Sequence, residues 1–183
     1  MLRRLVLAIA VLLVLGAGAA AAATQIRWNG GLGLYGNWVG VPVRIGAPFS
    51  IGMGELNAGH RVRIESVRLD HPTRGVVLVG SLVHSAGHGG IGSDRGFPPA
   101  SLRAPTRAAD GVVLPAHKAV ELVVGIRATE LGAFRVHGVD VLYRERWHGI
   151  DVRRRAHVGI EVGGCAVQTS ARIPGCRPPQ PIG

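Results

Sequence analysis

Beyond its first twenty-three residues, this sequence has no segment with the 3.6-residue apolar period of an amphipathic helix. That absence excludes helical bundles and doubly wound α/β folds, whose crossovers need helices. It also removes the setting for two glycine motifs. Gly31, Gly33 and Gly36 fit G-x-G-x-x-G, and so do Gly87, Gly89 and Gly92. That motif holds a dinucleotide only where a strand enters and a helix leaves. With 28 glycines in the chain, chance matches are expected. A G-x-S-x-G nucleophile elbow is missing too, so His88-Gly89-Gly90 lacks the partner that an esterase oxyanion loop needs. Methionine occurs only at positions 1 and 53, which leaves a blue-copper site without its usual axial ligand. The eleven acidic residues are scattered and form no evident pair for glycoside hydrolysis.

Cysteine is scarce as well. Cys165 and Cys176 are the only two, both near the C-terminus. In an exported chain such a pair reads as a disulfide. It closes a short loop, for which chain entropy gives about 3 kcal/mol. The alternative is two free thiols. A metal site built on the pair is disfavoured, because no His or further Cys lies beside it.

The export reading rests on the leader. Arg3 and Arg4 are followed by an uncharged apolar run over residues 5–15, then by Gly16, Gly18 and small residues over 19–23. This is the three-part layout of a signal peptide, with Thr24 as the expected first mature residue. The rival is an uncleaved membrane anchor, since nineteen uncharged residues come close to the roughly 20 that span a bilayer. Both readings place the rest of the chain outside the cytoplasm. It is then either secreted or anchored at the outer face of the cytoplasmic membrane.

Lysine is nearly absent. Among 21 basic residues only Lys118 is Lys, and the formal charge is +10. Together with the Ala, Gly and Val excess, this composition fits a GC-rich bacterium. The charge also favours anionic partners.

What the chain does have is alternation. Val62 and Ile64 share one parity and Val67 and Leu69 the other, so a β-bulge is expected at Glu65-Ser66. Residues 76–84 form a continuous apolar run of strand length. Val120, Leu122, Val124 and Ile126 share a face opposite Glu121, Val123 and Arg127. A parity switch falls near His137-Gly138, a hairpin connection is expected over 144–149, and residues 150–162 read as one long final strand. This period of two predicts an antiparallel sheet with one wet face. The sequence therefore predicts an all-β fold: an immunoglobulin-like two-sheet antiparallel sandwich after an N-terminal signal or anchor helix. The expected divisions are 1–23 leader, 24–47 Gly- and aromatic-rich stalk or flap, 48–163 sandwich, and 164–183 disulfide-closed Pro-rich tail. Residues 85–116, rich in Gly, Ser, Pro and Ala, read as a long loop hiding a short helix or an extra edge strand. The strand rhythm over 48–163 resembles that of small exported immunoglobulin-like modules of bacteria. It implies the sandwich and carries no functional residue with it.

Two candidate sites follow. Arg144, Arg146, Arg153, Arg154 and Arg155 would gather across the hairpin, beside Trp147, into a patch for an anionic cell-envelope polymer, a lipid surface or another envelope protein. Nucleic acid is disfavoured for an exported chain, and Asp140, Glu145 and Asp151 lie close enough to neutralise part of the patch. His84, His88 and Asp94 form a weak metal candidate, with spacing that is not diagnostic. The other histidines, at 60, 71, 117, 137, 148 and 157, read as surface. The expected function is binding or structural at the envelope, with no catalytic residue and no cofactor. The alternatives are a metal-binding protein using the loop histidines and an enzyme of unrecognised type.

Overall fold

The computed structural model describes residues 26–29, 42–85, 92–168 and 176. The leader, Tyr35, Trp38, His88 and most of both glycine motifs lie outside them. The described residues form strands and turns, with no helix among them. The strands are β1 (Ile26–Asn29), β2 (Pro42–Arg44), β3 (Pro48–Ala58), β4 (Val62–Asp70), β5 (Val76–Ser85), β6 (Ser93–Arg95), β7 (Arg107–Ala108), β8 (Val113–Leu114), β9 (Ala119–Ala128), β10 (Gly132–Val136), β11 (Gly138–Trp147), β12 (Ile150–Val158) and β13 (Val162–Val167). They pair into three sheets. The largest runs β1-β3-β9-β5-β7, with β6 also on β3; the second runs β12-β11-β4-β8; the third runs β10-β13-β2. The described pairings are antiparallel except that of β2 with β13.

Apolar residues of alternating parity turn from all three sheets into one core. Ile51, Leu56, Leu122, Val124 and Ile126 come from the first sheet, Ile64, Val139, Val141 and Tyr143 from the second, and Phe134, Val136 and Val162 from the third. The result is a β-sandwich held by burial of branched side chains. Phe49 and Phe134 join the first and third sheets, with ring centroids 5.7 Å apart.

Several boundaries differ from the sequence reading, each for a local reason. β3 runs through Gly52 and Gly54. The strand continues to Ala58, and the register shifts between Gly52 and Glu55, with Gly54 at φ 84°. Glycine inside a strand here marks a bulge. The expected bulge in β4 is present: Ser66 faces Leu142 and Ile64 faces Tyr143, leaving Glu65 as the extra residue. Residues 24–47 contribute two strands, β1 along β3 and β2 along β13. The hairpin connection is shorter than expected, because β11 runs to Trp147 and only His148 and Gly149 turn. Both have positive φ, at 47° and 84°, the backbone sense of a tight hairpin turn.

The long final strand is two strands in two sheets. β12 pairs with β11 and β13 pairs with β10, so one long ribbon crosses from the second sheet to the third at His137-Gly138 on one side and 159–161 on the other. Gly138 has φ 142°, and a Cβ there would collide with the Val158 carbonyl oxygen. Only glycine fits that crossing. β13 reaches Val167, past the expected start of the tail. The predicted disulfide is formed between Cys165 and Cys176.

Much of the first sheet's outer face is covered rather than wet as alternation predicts, with Val77, Val79 and Arg127 left exposed. Residues from the long Gly/Pro/Ser segment fold over it. Phe97 lies across the register pair Gly80–Gly125, where a Cβ on Gly80 would sit 2.8 Å from the ring. The Ser50 hydroxyl donates to the Gly96 carbonyl at 2.6 Å. The same segment supplies three short edge strands, β6, β7 and β8, in place of the single extra strand or helix expected.

Candidate functional site

The second sheet keeps its outer face open, and its central rung carries three arginines. Arg144 on β11 is flanked in register by Arg63 on β4 and Arg153 on β12. Like charges directly opposite one another destabilise a sheet. The bulge in β4 relieves this. Val62, Ile64 and Val67 are buried, while Glu65 and Ser66 both stand on the outer side. Glu65 Oε1 accepts from Arg144 Nε at 2.9 Å and lies 2.8 Å from its Nη2, while Oε2 is 3.1 Å from Arg153 Nε. One carboxylate thus bridges two guanidiniums.

Around this bridge lies a groove of about 690 Å³, lined by Arg61, Arg63, Arg144, Arg146, Arg153, Glu65 and Asp151 among others. Arg61, Arg63 and Arg146 have no carboxylate within ion-pair distance among the described residues. The groove therefore offers three unpaired guanidiniums and two that share one carboxylate. Guanidinium planes suit bidentate contact with phosphate or carboxylate oxygens. At the hairpin tip Trp147 packs edge-on against His148 and His60, with centroids 4.9 and 6.3 Å away.

The five arginines singled out from sequence do not form one patch. Arg144, Arg146, Arg153 and Arg155 share the outer face. Arg154 has the opposite parity, alongside Ala156 and Val158. Its Nε lies 2.9 Å from Glu145 Oε1, a carboxylate whose side chain is 1% exposed. The other oxygen, Oε2, has no hydrogen-bond partner among the described residues. Arg155 turns away from the groove toward Asp140, with Nη2 2.6 Å from Oδ2. That contact, chiefly its hydrogen bond, raises the Arg155 pKa further above its ordinary value. In exchange the groove gains Arg61 and Arg63, which the sequence reading passed over. The signal was available in principle, because Arg61, Arg63 and Glu65 alternate from the residue before β4 into it, but the pairing partner was not.

His84 and Asp94 are held apart by their roles in the covered face. His84 is buried beside Glu121, its register partner. Its Nδ1–H donates to the Ser85 carbonyl at 3.0 Å, and Nε2 lies 3.1 Å from Glu121 Oε2. At that distance Nε2 still has no hydrogen-bond partner among the described residues. Asp94 accepts backbone N–H bonds from Arg95 at 2.7 Å and Ser101 at 3.0 Å. These bonds, with the Ser101 hydroxyl, hold its pKa below the ordinary value.

A second constellation escaped the sequence reading. Asp70, Asp140 and His157 converge on the outer face where the long ribbon leaves the second sheet, and their ligand atoms all lie within 4.8 Å of one another. His71, His137 and Glu161 stand nearby: His71 Nδ1 is 2.8 Å from Asp70 Oδ1, the His71 and His137 rings are 5.9 Å apart, and His137 Nδ1 is 3.7 Å from Glu161 Oε1.

Comparison with known proteins adds little. No protein-family model matches the chain, and no curated protein matches it. Among solved structures, the chain is similar to the ASH / PapD-like domain of human CEP192 (PapD-like domain 7), at a TM-score of 0.36 and 12% identity over 80% of this chain and 87% of that one.

Proposed function

We propose that this chain is an exported, immunoglobulin-like binding module of a bacterial cell envelope, and that its arginine-lined groove holds an anionic envelope polymer. The observation that carries the reading is the three-strand rung Arg63, Arg144 and Arg153, extended by Arg61 and Arg146 along one open groove. A linear polyanion with regularly spaced charges suits a groove better than a compact ligand does. Each guanidinium can displace the counterions of one phosphate or carboxylate group. The Cys165–Cys176 disulfide supports an oxidising compartment, and the Arg3-Arg4 leader supports export. In this reading the module holds its ligand: five guanidiniums dominate the groove's polar lining, beside the carboxylates of Glu65, Glu145 and Asp151.

The test is binding of poly(glycerol phosphate), with neutral dextran as control, across a range of salt. Affinity should fall with salt at a log–log slope of roughly −2 to −3, as three or four phosphate contacts imply. The triple variant R61A/R63A/R146A spares the Glu65 bridge. It should bind at least tenfold more weakly, with a slope reduced toward zero. Equal binding of dextran, or a triple variant that binds as the wild type does, would overturn the reading.

A further inference from the structure

We infer that Asp70, Asp140 and His157 form a binding site for one divalent first-row metal ion with nitrogen and oxygen preference, separate from the groove and independent of the reading given to it. The argument begins with the rungs of the second sheet. Asp140 is in register with His157 on β12, and Asp70 is in register with Gly138 on β11. Because Gly138 has no side chain, Asp70 reaches across that rung toward His157. A Cβ on Gly138 would come 3.1 Å from the His157 Cε1, and one on Gly159 would come 3.4 Å from Nε2. Two glycines therefore leave a slot that fits the imidazole, and its Nδ1 points at the carboxylates.

The separations leave room for a metal. His157 Nδ1–H donates a long hydrogen bond to Asp140 Oδ1 at 3.3 Å and lies 3.7 Å from Asp70 Oδ2. A charge-assisted N–H···O bond commonly closes further, to about 2.7–2.9 Å. The edge of a tetrahedron around zinc, with bonds of about 2.0–2.2 Å, is about 3.3 Å. Two edges of the triangle are thus near the spacing of adjacent coordination positions, all three lie within 4.8 Å, and both carboxylates are mostly buried, at 15% and 12% exposure. Arg155 Nη2, at 2.6 Å, takes only Asp140 Oδ2 and leaves Oδ1 for the ion. This is the outer-shell support that ligating carboxylates commonly receive. The same guanidinium is 3.8 Å from Asp70 Oδ1, and Arg68 is the register neighbour of Asp140 on β4. Cationic side chains thus stand beside both aspartates and leave Asp140 Oδ1 and Asp70 Oδ2 facing the imidazole. A fourth position is open to water or to His71, whose exposed ring already contacts Asp70. A donor set of one imidazole and two carboxylates, without sulfur, selects zinc or a similar ion over Cu(I), and it binds more tightly than the mostly hydrated magnesium.

The experiment is a titration of the full, oxidised chain with Zn²⁺, followed by calorimetry and equilibrium dialysis, with Mg²⁺ as control. One zinc per chain should bind at micromolar free metal, with no saturable magnesium uptake. H157Q and D140N should each weaken zinc binding at least tenfold. R155A should weaken it as well, whereas H148A, remote at the hairpin tip, should leave it unchanged. Thermal melts with and without zinc keep folding separate from binding: the wild type should gain stability with metal, and a folded H157Q should not. Zinc uptake equal in H157Q and wild type would overturn the assignment. So would a folded wild-type chain with no saturable binding below about 100 μM.

Discussion

Replacing Arg154 with alanine tests the division of the triple-arginine run by face. Three consecutive arginines look equivalent in sequence. In the fold, Arg153 is 75% exposed and bridged to Glu65, while Arg154 is 21% exposed and paired with a Glu145 side chain that is 1% exposed. Removing one partner of a buried pair leaves an uncompensated charge and costs about 3–5 kcal/mol. Water reaches part of Arg154, which brings the cost to or just below the lower end of that range, about 2–3 kcal/mol. Removing Arg153 dissolves a surface pair worth about 0–1 kcal/mol. By the same physics, replacing both members of the buried pair with leucine should restore stability to within about 1 kcal/mol of wild type, because the desolvation cost of Glu145 disappears with its charge. The assay is urea unfolding of R153A, R154A, E145L and E145L/R154L at neutral pH, completed as a double-mutant cycle with R154L. At roughly 2–4 °C per kcal/mol for a chain of this size, R154A should melt about 5–10 °C lower. Equal losses for R153A and R154A, or a double-leucine variant as damaged as R154A, would refute the reasoning.

Three further outcomes are expected. Asp94 has a folded pKa depressed below its ordinary value by N–H bonds from Ser101 and Arg95. Its contribution is therefore fully present above about pH 4 and is lost as pH falls through the folded value. The stability gap between wild type and D94N should shrink between pH 7 and pH 3, and a constant gap would contradict the assignment. Reducing Cys165–Cys176 should lower the unfolding free energy by about 3 kcal/mol, as loop closure implies, read as a shift in urea midpoint with reductant. G125A should cost about 1–3 kcal/mol by driving Phe97 off the sheet. In the F97A background the same change should cost less than about 1 kcal/mol, and additivity of the two would show that the ring does not rest there.

Strand content was legible because the strands are amphipathic at period two, and that pattern is local. Val62, Ile64, Val67 and Leu69 even located the Glu65 bulge, since an extra residue must flip parity. The covered face of the first sheet was not legible. Val123 and Glu121 sit at wet-face parity and are buried, and the segment holding Phe97 shows no period to announce its packing. The arginine patch was half legible. Alternation separates Arg154 from Arg153 and Arg155, but adjacency in a charged run obscured it. Arg61 and Arg63 enter the groove only through the pairing of β4 with β11. The division of the ribbon at residues 137–138 and 159–161 was visible as a parity switch on one side only.

The sequence by itself determined the all-β class, the main strands and the cysteine pair, because these depend on neighbours a few residues apart. The tertiary structure decided which strands meet. Asp70, Asp140 and His157 come together because β4 and β12 both lie against β11. No local pattern encodes that encounter, since pairing among strands distant in sequence is fixed by how the whole core closes.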